Sequence, residues 1–122
     1  MMKKEICTLL LVVTPLSTLA ASYIPQKFQG TWDKAKQCYT PAVINKKQYT
    51  PDADWGLATV NKIVTHNAHS ITVYGTEEYS DEGNVYKTPS HLKLTLAQNG
   101  KSLKIVGKHH ESNYNVQYVR CS

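Results

Sequence analysis

Two runs of alternating residues do most to limit what this chain can fold into. Leu92, Leu94 and Leu96 alternate with Lys93 and Thr95, and Leu103 and Ile105 flank Lys104. A period of two places the apolar side chains on one face of an extended strand and the polar ones on the other. Between the runs lies Gln98-Asn99-Gly100-Lys101. Asn-Gly supplies the positive φ angles of a tight primed turn, so the segment predicts an antiparallel hairpin.

The same signals recur more weakly along the chain. Ile71 to Tyr74 is rich in β-branched and aromatic residues and predicts a strand. Glu77 to Tyr79 and Val85 to Lys87 predict a second hairpin across Ser80-Asp81-Glu82-Gly83-Asn84. Tyr114, Val116 and Tyr118 share one face of a final strand, with Val119 and Cys121 on the other. Gly56 to Val64 reads as a strand. Thr40 to Asp54, with Pro41, Pro51, Asn45, Asp52 and Asp54, reads as a loop. A short helical turn is expected near Asp33 to Gln37. The fold class is therefore all-β: a small antiparallel up-and-down barrel or a sandwich. Closure into a barrel would also remove exposed strand edges.

The first twenty residues belong to a different problem. Lys3 and Lys4 precede an apolar stretch, Ile6 to Val13, that Cys7 and Thr8 alone interrupt. Pro15 follows, and the small residues Thr18 and Ala20 have the spacing a signal peptidase reads. Residues 1–20 are expected to be a signal peptide cut after Ala20, with Ser22 as the second choice, leaving residues 21–122 as one domain. The apolar run is too short for a membrane span, which needs about 20 residues. A lipid anchor would need its cysteine just after that run, and Cys7 lies inside it.

Export makes the cysteines informative. Cys7 leaves with the leader, and Cys38 and Cys121 remain near the two ends of the domain. In an oxidising compartment they are expected to join in one disulfide that closes most of the domain into a loop. A domain of about 100 residues has a modest core, so such a constraint would matter.

The frame around these cysteines carries a resemblance. Phe28-Gln29-Gly30-Thr31-Trp32 stands ahead of Cys38, and Tyr118-Val119-Arg120-Cys121 stands near the other end. This frame resembles small exported proteins of Gram-negative bacteria, of unknown function, that begin with Phe-x-Gly-x-Trp and close with Tyr-x-Arg-Cys. Gly-x-Trp on the first strand with an arginine on the last is also similar to the calycin pattern of lipocalins. That resemblance covers Gly30, Trp32 and Arg120 alone, and implies that Arg120 covers Trp32 and closes the barrel base. Physically, an arginine over a tryptophan face gains about 0.5–2 kcal/mol. The chain is much shorter than a lipocalin, which speaks against a roomy ligand cavity.

Candidate chemistry is sparse. His66 with His69, and His109 with His110, diverge if they lie on strands, so no metal site is expected and the histidines read as surface residues. Glu77, Glu78, Asp81 and Glu82 lack calcium-loop spacing and read as a solvated hairpin tip. No nucleophile elbow and no phosphate loop is present, so no enzyme activity and no cofactor are expected. Beyond the leader, twelve Lys and Arg face eight Asp and Glu, mildly basic and without the basic-aromatic run of a nucleic-acid surface. The eight tyrosines suit either interfaces or strand packing, and packing is expected for most.

The function expected from the sequence is that of a non-catalytic periplasmic or secreted domain. It would bind a protein, an envelope component or a small apolar ligand. Its rivals are an inhibitor of a hydrolase such as a lysozyme, acting through an inserted loop, and a periplasmic metal binder. No nucleic-acid partner and no membrane span are expected, and the oligomeric state is left open.

Overall fold

The computed structural model describes residues 23–34 and 37–121; the expected signal peptide, and part of the helical turn expected near Asp33, lie outside them. After a single 3-10 turn, Gln26–Phe28, come eight strands: β1 Gly30–Asp33, β2 Ala42–Ile44, β3 Gln48–Thr50, β4 Ala58–Asn67, β5 Ser70–Asp81, β6 Asn84–Leu96, β7 Ser102–His109 and β8 Ser112–Arg120. Each pairs antiparallel with its neighbour in sequence, and β1 pairs with β8, so the sheet is a closed up-and-down barrel. Of the two architectures open from sequence, the barrel is the one formed.

Alternation builds its interior. Ile71 and Val73 on β5, Leu92, Leu94 and Leu96 on β6, and Leu103 and Ile105 on β7 all turn inward and are buried. Phe28, Trp32, Ile44, Tyr49 and Ile63 fill the rest of one contiguous core, with Tyr114 and Val116 packed against it. Cys38 and Cys121 form a disulfide with Cα atoms 5.9 Å apart. No helix among the described residues is long and apolar enough to cross a membrane.

Several local expectations need correction. The segment expected as a loop, Thr40 to Asp54, contains β2 and β3. Each is only three residues long, and flanking Pro41, Asn45 and Pro51 mask them. The Asn99-Gly100 turn is not a two-residue primed turn. Gly100 N–H donates to Ala97 C=O across Gln98 and Asn99, and only Gly100 takes a positive φ, +74°. That is a turn followed by a left-handed glycine, the next most common way to join two strands. Two-residue primed turns occur instead at Glu82-Gly83 and His110-Glu111, where both residues have positive φ. The β5–β6 turn is therefore tighter than the five residues expected.

The barrel has two ends. One, the arginine end, carries the segment before β1 and the β2–β3, β4–β5 and β6–β7 connections. The other, the histidine end, carries the β1–β2, β3–β4, β5–β6 and β7–β8 connections.

Candidate functional site

At the arginine end, Arg120 is the closing group. It shares the inward parity of Val116 and Tyr118, while Cys121 takes the opposite face. Its guanidinium carbon stands 4.1 Å from the Trp32 ring centroid. Its nitrogens donate to the carbonyls of Gly100 (3.0 Å), Gln29 (3.0 Å) and Lys27 (2.7 Å). Trp32 is fully buried, and its indole N–H donates to Phe28 C=O. Gly30 has φ +128°, and a Cβ there would stand 3.2 Å from an Arg120 nitrogen. Glycine thus leaves the guanidinium room beside the chain. Cys121 N–H donates to Thr31 C=O, so the disulfide fastens the same two segments from outside.

The histidine end is closed differently, by the β3–β4 connection, residues 51–57. Gly56 N–H donates to Glu77 Oε2 at 2.8 Å, and Gly56 C=O lies 3.1 Å from His109 Nε2. The carbonyl can only accept, so Nε2 carries the hydrogen and Nδ1 accepts from the Ser90 hydroxyl at 2.8 Å. Glu77 Oε1 meets His110 Nδ1 at 2.5 Å, and Trp55 stacks on the His110 ring at 4.1 Å. His109 is fully buried and Glu77 is 1% exposed, which corrects the reading of both as solvated surface groups. Their strand parity explains the burial. His109 follows Leu103, Ile105 and Gly107 on β7, and Glu77 follows Ile71, Val73 and Gly75 on β5, all at inward positions. Burial holds the His109 pKa below its ordinary value, against the Gly56 carbonyl and Glu77, which raise it. Ser90 is itself buried and donates its hydroxyl hydrogen bond to His109, so this pair braces the connection.

The β5–β6 hairpin projects past this end. β4 pairs with β5 only as far as Glu77, and β7 pairs with β6 only from His91 onward. Beyond those points the two strands pair only with each other, as a ribbon. Tyr79 and Tyr86 face each other across it with rings 5.4 Å apart, and Val85 beside them is exposed. Tyr79 also lies 5.1 Å from His110. Trp55, His110, Tyr79 and Tyr86 therefore form one continuous run of rings from the β3–β4 connection to the ribbon.

No family model, no curated protein and no solved structure matches this chain.

The remaining candidates separate. His66 bonds Thr72 and His69 sits in the β4–β5 turn. Among the described residues no three His, Cys, Asp or Glu side chains converge. Tyr49, Tyr114 and Tyr118 pack into or against the core, whereas Tyr23, Tyr39, Tyr74, Tyr79 and Tyr86 are exposed. Most tyrosines thus face solvent, contrary to the packing expected. Around the aromatic run stand Asp52, Asp54, Glu78, Asp81, Glu82 and Glu111. They come from three separate stretches of sequence, the β3–β4 connection, the β5–β6 hairpin and the β7–β8 turn, and the up-and-down topology brings these to one end.

Proposed function

We propose that this chain is an exported, non-catalytic domain that binds another protein with the histidine end of its barrel. The carrying observation is the run of rings that leads from Trp55 and the half-buried His110 to Tyr79 and Tyr86 on the projecting ribbon, with Trp55 and both tyrosines exposed and carboxylates in the same connections. Tyrosine and tryptophan give large contact area at low rotamer cost and are enriched in protein interfaces. The carboxylates favour a partner with Lys or Arg at the contact, because a cation gains both from the charge and from the ring faces. Side chains fill the barrel interior, and Arg120 and the Gly56 connection cap its ends, so a small apolar ligand has little room there.

Export is part of the proposal and is supported by the disulfide and by the leader-like first twenty residues. The likeness to the calycin pattern also belongs here, supported by Arg120 over Trp32. The hydrolase-inhibitor alternative draws on one observation, the ribbon, which is the shape of element that enters a cleft.

Affinity capture from a periplasmic or culture extract tests the proposal. The unaltered domain is expected to retain a partner that a Tyr79→Ser/Tyr86→Ser variant loses while keeping its melting temperature. Retention of the same proteins by a folded variant would defeat it.

A further inference from the structure

The two ends of the barrel differ in charge as well as shape. At the arginine end, Lys27, Lys46, Lys47 and Lys101 are all exposed. Hydrogen bonds to their backbone carbonyls fix their segments at this end. Ile24 N–H donates to Lys46 C=O, the Arg120 guanidinium bonds Lys27 C=O, and Arg120 N–H donates to Lys101 C=O. None of the connections at this end contains an Asp or Glu, whereas those at the histidine end contain Asp52, Asp54, Glu82 and Glu111 against Lys34 as their one Lys or Arg among the described residues. The modest net charge of the chain thus conceals a molecule with a basic end and an acidic end.

A second feature accompanies the lysines. Tyr23 is 46% exposed, with the Lys46 ammonium 4.6 Å and the Lys47 ammonium 5.0 Å from its ring centroid. A ring with a polar tip, held among lysines at the rim of a fold, is the side-chain set that settles at the headgroup level of a bilayer.

We propose that the arginine end is a docking face for an anionic lipid surface, with Lys27, Lys46, Lys47 and Lys101 meeting headgroup phosphates and Tyr23 seated among them. Clustered lysines near a negatively charged leaflet are attracted over about a Debye length, and aligned charges on one face set the orientation of the bound protein. The acidic end is repelled by the same surface. The barrel therefore stands with its axis away from the membrane and the Tyr79–Tyr86 ribbon held outward. This inference does not depend on what the ribbon binds.

Flotation with lipid vesicles tests it. The domain is expected to float with vesicles containing phosphatidylglycerol, to stay behind with pure phosphatidylcholine vesicles, and to be released as salt rises from 0.1 to 0.5 M, where screening shortens the attraction. Lys46→Glu/Lys47→Glu/Lys101→Glu should lower partitioning at least about tenfold, and the milder triple change to Gln several-fold, because each lysine adds separately to surface attraction. Asp81→Lys/Glu82→Lys, at the far end, should not reduce it. Equal flotation with phosphatidylcholine, or unchanged flotation of either folded triple variant, would overturn the proposal. So would full competition by millimolar inorganic phosphate, which would mark a site for the free anion.

Discussion

Arg120 shows how one residue serves several ends. It reaches three backbone carbonyls and lies over a buried tryptophan, so its removal strands acceptors as well as an aromatic face. Arg120→Ala is expected to cost about 2 kcal/mol in denaturant unfolding, and Arg120→Lys should recover little of it. A lysine lacks the planar fork that serves three acceptors at once. At the other end, His109 makes stability depend on pH. Its pKa is held down in the fold, so below the ordinary value near 6.5 the unfolded chain takes up a proton that the native state resists. Stability should therefore fall as pH drops through about 6.5, and His109→Gln should flatten that part of a melting-temperature profile. Tyr49 acts at the opposite limit. Its hydroxyl is buried against Ser90 C=O and its pKa is pushed up to about 12. The unfolded chain loses that proton first, so stability falls again above about pH 10.

Among the elements, two hairpin turns carry a local cost: His110 and Glu111, at φ +51° and +65°, join β7 to β8, and the β5–β6 turn holds one such residue. Glu82 sits at φ +52° beside Gly83, and a side chain other than glycine or asparagine is unfavourable there. Glu82→Asn should raise stability by about 0.5–1 kcal/mol, measured by thermal or denaturant unfolding, without altering the paired strands. How far each element was legible follows from its length and surroundings. Alternation over Leu92 to Leu96 and over Leu103 to Ile105 located β6 and β7, because those strands are long and solvated on one face. β2 and β3 are three residues each, too short for a period to declare itself among prolines. Glu77 and His109 were readable in principle, since both continue an inward parity set by Ile71 and Leu103. Their neighbours Glu78 and His110 drew attention to the turns instead. The aromatic run was not readable, for Trp55, Tyr79 and His110 meet only once the sheet has closed.

For the whole molecule, the bridge joins residues 83 positions apart. In the chain-entropy view a loop of that length stabilises by about 4–5 kcal/mol, so reduction should lower the unfolding midpoint steeply, a change that melting with and without reductant would show. A small barrel with a core of this size has little stability in reserve. The charge arrangement belongs to the same scale, because the lysines of one end and the carboxylates of the other each come from several separate connections.

The ladder between β1 and β8 has a further consequence. Every other ladder joins consecutive strands and can zip up from a local turn, whereas Trp32↔Arg120 and Asp33↔Val119 must find each other across nearly the whole domain. Only two residue pairs reward that search, and the entropy of closing so long a loop falls due before either contact forms. The meeting of β1 with β8 is therefore expected to come last in folding. A chain already cross-linked through Cys38 and Cys121 makes that meeting almost local, and should refold faster than its reduced counterpart in stopped-flow mixing.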